Sequence, residues 1–301
     1  MRLTTVCCEM PRWLRAAAAA GVALVWLSGG AIAADSEAIG PAAERYTATC
    51  ARAGTFRTVI DVGHTADAPG AMSARGVTEY AFNLRLARKI VDDLVAAGFA
   101  RTVLMVTAEA PYAGLFKRAA HANALHADLY LSIHHDAVPE ALLQTWQFNG
   151  AEQHYNDSYP GHSLFVSTEH ANRAASLAFA HLLGMALEAR GLPYTRHYTD
   201  PIMGDRRRVL LDAKAGVYRY NKLIVLKEVQ MPAALLEAGS IVNRDEELAL
   251  ASPERQALIG SAVVEAVDAF CQAPRKTVVR SSGHNVGLLK RLWPGNWRRR
   301  K

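Results

Sequence analysis

Two hydrophobic rhythms alternate along this chain. Thr58-Val59-Ile60-Asp61-Val62 is a β-branched run stopped by Gly63, the pattern of a buried strand. Phe82, Leu86, Ile90 and Leu94 then recur at helical spacing, which predicts a helix over 79–97 that Gly98 ends. A second strand is predicted over 102–106, a helix over about 112–127, and a third strand over 129–134. This alternation argues for a parallel sheet with right-handed crossovers. The rhythm breaks over 137–170, where Gly, Asn, Pro and Tyr gather. That stretch reads as an insertion near the sheet's upper edge, with one extra strand at 163–167. A helix over 173–190 is closed by Gly191 and Pro193. Residues 206–220 are polar and carry no clear period. Short apolar runs at 223–226 and 233–237 read as strands, and Pro253 opens a last helix to about Phe270. The expected fold is one α/β domain over 54–271, three layers (α/β/α) around a mostly parallel central sheet. A segment over 34–53 precedes it.

Composition and charge refine the ends of this picture. At 301 residues and 50% hydrophobic, the chain can bury one full core. Arg2, Arg12 and Arg15 precede an apolar stretch over 16–27, and Ala31-Ile32-Ala33 is a small-x-small cleavage signature. A signal peptide over 1–33 is expected, an uncleaved anchor helix being the alternative. The mature protein is then exported, to the periplasm or the extracellular cell envelope. Cys7 and Cys8 leave with the leader. Cys50 and Cys271 remain and read as one disulfide, against two free buried thiols. The net charge of +6 is uneven, because residues 272–301 carry cations and no acid. The body is therefore acidic, which argues against a nucleic-acid binder. The basic tail interleaves its charges with Leu288, Leu289, Leu292, Trp293 and Trp297. It is either a solvated extension or a strip that adheres to an anionic envelope surface. A monomer is expected.

The chemistry gathers at strand ends. His64 follows the first predicted strand, where α/β sheets place their ligands. His134 ends the third, Glu237 ends the last, and Glu79 opens the helix after His64. Two imidazoles and one carboxylate are a common catalytic zinc set, leaving a second carboxylate free as general base. These residues do not by themselves say which glutamate is ligand and which is base. Each also has a plainer reading. His64 fits a hydrogen-bonded loop, Glu79 after Thr78 fits a capped helix N-terminus, and Glu237 fits a buried ion pair. His134 and His135 compete for one role, and strand alternation puts them on opposite faces.

Ile60-Asp61-x-Gly63-His64, Gly76-x-x-Glu79 and Arg118-x-x-x-x-Asn123-x-x-x-x-Asp128 lead in order to Ser132-Ile133-His134. Pro232-Ala233-Ala234-Leu235-Leu236-Glu237-x-Gly239 follows, then Asn243 and Glu246. From about Thr58 to Phe270 the chain resembles the zinc-dependent N-acetylmuramoyl-L-alanine amidases of bacterial cell walls. The resemblance implies one Zn2+ held by His64, Glu79 and His134, with Glu237 as the catalytic carboxylate. It implies peptidoglycan as substrate, cut between N-acetylmuramic acid and L-alanine. Asp61, Arg118, Asn123, His135 and Asn243 would support the site or line the substrate groove. Whether an activator protein takes part is not legible. Two other readings stand beside it: a zinc peptidase or amidase acting on another cell-wall or small peptide, and a non-catalytic envelope-binding protein on the same fold.

Overall fold

A computed structural model describes residues 46–108 and 111–273, so the expected leader and basic tail lie outside the described residues. In chain order the elements are β1 (Thr58–Val62), α1 (Glu79–Ala96), β2 (Val103–Met105), α2 (Pro111–Ala124) and β3 (Leu129–Asp136). Then come β4 (Gln144–Phe148), β5 (Ala151–Tyr155), β6 (Ser163–Val166), α3 (Arg173–Glu188), β7 (Leu210–Asp212) and β8 (Val217–Arg219). The chain closes with α4 (Ile224–Glu228), β9 (Ala233–Ser240), α5 (Arg244–Ala251) and α6 (Pro253–Gln272).

The central sheet has seven strands in the order β2-β1-β3-β9-β6-β8-β7. Its first four strands run parallel, β6 lies antiparallel to β9, and β7 antiparallel to β8. Strands buried on both faces need apolar residues at consecutive positions, and β1 is buried throughout. One face packs Ile60, Val62, Leu131, Ile133 and Leu236 against α1, α3 and α6. The other packs Val59, Tyr130, Phe165 and Leu235 against α2 and α4. The three expected layers are present.

Several details depart from the sequence reading. The run at 223–226 is not a strand. Leu223 is the N-cap of α4, whose Val225 and Leu226 are buried beside α2. A short apolar run does not distinguish a buried strand from one buried helical turn. The unplaced stretch 206–220 supplies β7 and β8, the outer edge of the sheet. The extra strand expected at 163–167 is present as β6, a full member of the central sheet. What projects is the β4–β5 hairpin, turned by Asn149 and Gly150 at φ 49° and 79°. Cys50 and Cys271 form a disulfide that closes a sequence separation of 221 residues.

Candidate metal centre

The site starts from the way β1 ends. Gly63 still pairs with β3, its N–H donating to the Ile133 carbonyl at 3.0 Å. A Cβ on Gly63 would come within 2.4 Å of the His134 ring, so only glycine lets the imidazole lie there. His64 follows with φ 65°, a left-handed turn uncommon for a side-chain-bearing residue and concentrated at functional sites. The loop then doubles back to α1. Gly70, at φ 80°, passes so close that a Cβ would meet Glu79 at 2.4 Å and His64 at 2.8 Å. Thr78 caps α1 by accepting from the Ala81 N–H, which fixes Glu79 as the first helical residue.

Glu79 is buried at 5% exposure and faces both histidines. Its Oε2 lies 3.0 Å from His64 Nε2, and its Oε1 lies 3.0 Å from His134 Nδ1. Burial alone would raise its pKa. The hydrogen bonds from His134 and His64 outweigh that and hold the carboxylate well below its ordinary range. One donor atom from each of the three residues falls within 4.8 Å of the others. Nitrogen and carboxylate donors at this spacing suit a small divalent cation such as zinc.

Glu237 stands beside them. It is in register with His134 across β3 and β9, so both side chains leave the same face. Its Oε2 is buried and has no hydrogen-bond partner among the described residues. Burial, then the charges of Asp136 and Glu79, push its pKa well above the carboxylate range. Asp136, two residues beyond His134 across a register shift, is itself raised to about 6 by burial, against the hydrogen bond that the Tyr198 hydroxyl donates at 2.7 Å. His197 Nε2 lies 3.4 Å from the other Asp136 oxygen, and burial, then Arg206, lowers that imidazole to about 4.

Behind the candidate metal set lies a polar buttress. Asp61 receives Arg118 Nη1 at 3.0 and 3.1 Å, the Tyr130 hydroxyl at 2.7 Å and the Ser132 hydroxyl at 2.8 Å. The Arg118 guanidinium also donates to the carbonyls of Val62 and His64. A buried carboxylate and guanidinium thus satisfy each other and hold the strand end that presents His64. His135 points to the opposite face, its Nδ1 2.8 Å from Asn83 Oδ1 and its ring against Phe82. Burial pushes its pKa down to about 3, which keeps it neutral.

Two further residues grouped with the site by sequence bind backbone. Asn123 donates to the Glu228 carbonyl and accepts from the Gln230 N–H, tying α2 to the end of α4. Asn243 caps α5, accepting from the N–H groups of Asp245 and Glu246. Amide side chains satisfy orphan backbone groups well, which accounts for both placements. Conversely, sequence reasoning missed Asp136, Tyr198, His197 and Arg206. Only Asp136 carried a signal, by following His134-His135 directly.

The centre opens on two cavities that share His64 and His134. One, of about 360 Å³, is lined by Glu79, Glu237, Asp136, Arg206 and Val138 among others. The other, of about 240 Å³, is walled by Leu115, Leu223, Val225 and Ala68, with Arg118 and Asp61 also lining it.

Fold and site together define an α/β/α protein with a candidate His-Glu-His metal centre at the carboxyl edge of its parallel strands. A model of the N-acetylmuramoyl-L-alanine amidase family, Amidase_3, matches residues 58–269, and the chain belongs to that family. Solved structures share the fold. The N-acetylmuramyl-L-alanine amidase Ami1 from Mycobacterium smegmatis is 20% identical with a TM-score of 0.54, covering 72% of this chain and 97% of its own. The catalytic domain of CwlV, an N-acetylmuramoyl-L-alanine amidase from Bacillus (Paenibacillus) polymyxa, is 23% identical with a TM-score of 0.51, covering 71% and 97%. AmiC2 of Nostoc punctiforme is 20% identical with a TM-score of 0.52, covering 72% and 98%. No curated protein sequence matches this chain.

Proposed function

We propose that this protein is an exported, zinc-dependent peptidoglycan amidase. It hydrolyses the amide between the lactyl group of N-acetylmuramic acid and L-alanine of the stem peptide. The observation that carries this reading is the buried, unpartnered Glu237 oxygen in register with His134, beside three convergent donor atoms.

His64, Glu79 and His134 would hold the ion. When bound, Zn2+ supplies Lewis acidity and positive charge, which polarise a carbonyl, acidify a water and favour the ionised form of Glu237. Glu237 takes the proton of the attacking water and returns it to the leaving nitrogen of L-alanine. Asp61 and Arg118 fix the backbone that presents His64, so the nucleophile meets the carbonyl in a set geometry. Asp136, anchored by Tyr198, adds negative charge next to Glu237 and makes it a stronger base. The expected leader carries the enzyme to the envelope, and the basic tail holds it against an anionic surface there.

The deciding experiment digests purified peptidoglycan with and without a chelator and identifies the fragments by mass. Free alanine amino termini with intact glycan strands, lost on chelation and restored by zinc, are the expected result. Cleavage inside the stem peptide would replace this reading with a peptidase. No cleavage despite bound zinc would leave an envelope-binding protein.

A further inference from the structure

Residues 197–206 contain two 3-10 turns, and the last of them ends at Arg206, which lines the larger cavity. The segment is firmly held. Met203 is buried, the Tyr198 hydroxyl reaches Asp136, and the Arg208 N–H donates to the Tyr198 carbonyl at 2.7 Å. Gly204, at φ 51° and ψ −124°, makes a kink that a side-chain-bearing residue rarely adopts. That kink sets the direction of three consecutive arginines. Arg207 is tied to the Thr199 carbonyl at 2.9 Å. Arg208 is tied to the carbonyls of Asp205 and Arg207, and its guanidinium stacks 4.1 Å from the Tyr220 ring centre. Arg206, the one that lines the cavity, has no hydrogen bond or ion pair among the described residues.

We infer that Arg206 is a specificity residue that binds a carboxylate of the substrate, namely the free α-carboxylate on the second residue of the stem peptide. This inference rests on the amidase reading. The scissile amide must lie at the metal centre, and the two cavities receive its two sides. The smaller cavity is mostly apolar and suits uncharged groups. The larger one holds a guanidinium with its donors unspent, among acids that would repel an anion placed anywhere else. A carboxylate one residue beyond the scissile amide is the first anion the stem peptide offers. A guanidinium grips a carboxylate through two parallel N–H donors, which gives geometric as well as charge selectivity. Arg206 is exposed, so solvent and salt limit the gain to about tenfold.

The test uses the full, zinc-loaded chain and two probes whose γ-carboxyl is capped as an amide: the γ-methylamide of N-acetylmuramyl-L-alanyl-D-glutamic acid and its α-carboxamide. Wild type should favour the carboxylate probe about tenfold in kcat/KM, chiefly through KM, and the preference should shrink as salt rises. Arg206→Ala should bring the ratio of the two probes near one, and Arg206→Lys should keep part of it. Equal treatment of both probes by wild type overturns the inference. So does an equal loss on both probes in Arg206→Ala, which would mean that the arginine only balances Glu237 and Asp136. Equilibrium binding of the free dipeptide L-alanyl-D-glutamic acid γ-methylamide and its α-amide keeps the two readings separable. If neither probe is cleaved, the amidase reading fails, while the same tenfold binding difference, abolished in Arg206→Ala, still supports the carboxylate subsite.

Discussion

The two faces of the central sheet follow different rules. Against α1, α3 and α6 the sheet presents Ile60, Val62, Leu131, Ile133 and Leu236, a continuous apolar surface with no exposure to speak of. Against α2 and α4 the same strands present Asp61, Ser132, His134 and Glu237, interleaved with Val59, Tyr130 and Leu235. Adjacent residues thus meet opposite fates. His134 faces Glu79 and the cavities, whereas His135 is buried against Phe82 and Asn83 as a neutral ring. One face keeps the fold. The other accepts buried charge, which is tolerable because each charged group there has a partner or a cavity to face.

The sharpest way to break this contrast is Glu237→Gln. Turnover on peptidoglycan should fall by about a hundredfold or more, with zinc content and folding preserved. Retained turnover would remove Glu237 from the base role. Next is Arg118→Met, which leaves the Asp61 carboxylate buried with only two hydroxyl donors. A loss of about 3–5 kcal/mol by denaturant titration is expected, together with weaker zinc binding because the His64 carbonyl loses its anchor. Leu131→Ala tests the opposite face. It should cost about 2–5 kcal/mol while zinc affinity of the folded protein stays near wild type, which calorimetric titration would read. The last effect is in pH. His135 and His197 sit at about 3 and about 4 when folded, below the ordinary histidine value, so between there and about 6.5 the unfolded chain binds more protons. Stability is therefore full above about 6.5 and falls as pH drops toward 3. His135→Gln should shallow that slope in thermal melts of the chelated protein.

Much of the candidate site was legible because each of its residues lies in or beside an element with a local signature, although β3 and β9 run past His134 and Glu237 to Asp136 and Ser240. A β-branched run and a glycine announce His64, Thr78 announces the helix start at Glu79, and an apolar run leads into Glu237. The acidic and aromatic ring around Glu237 was not legible. Tyr198 meets Asp136 across 62 residues, from a stretch of 3-10 turns with no hydrophobic period. The short run before α4 misled because one buried helical turn and one buried strand use the same residues. Asn123 and Asn243 make backbone hydrogen bonds, a scaffold use that a motif position alone does not specify.

The bond between Cys50 and Cys271 has a topological meaning. Their Cα atoms are 5.9 Å apart, and Asp268 accepts from the N–H groups of Thr49 and Cys50 at the same seam. Among the described residues, the disulfide thus brings the first and last segments of the domain together. A circular permutant that joins this seam by a short linker and begins at the exposed Asn149–Gly150 turn would retain every strand pairing of the seven-stranded sheet.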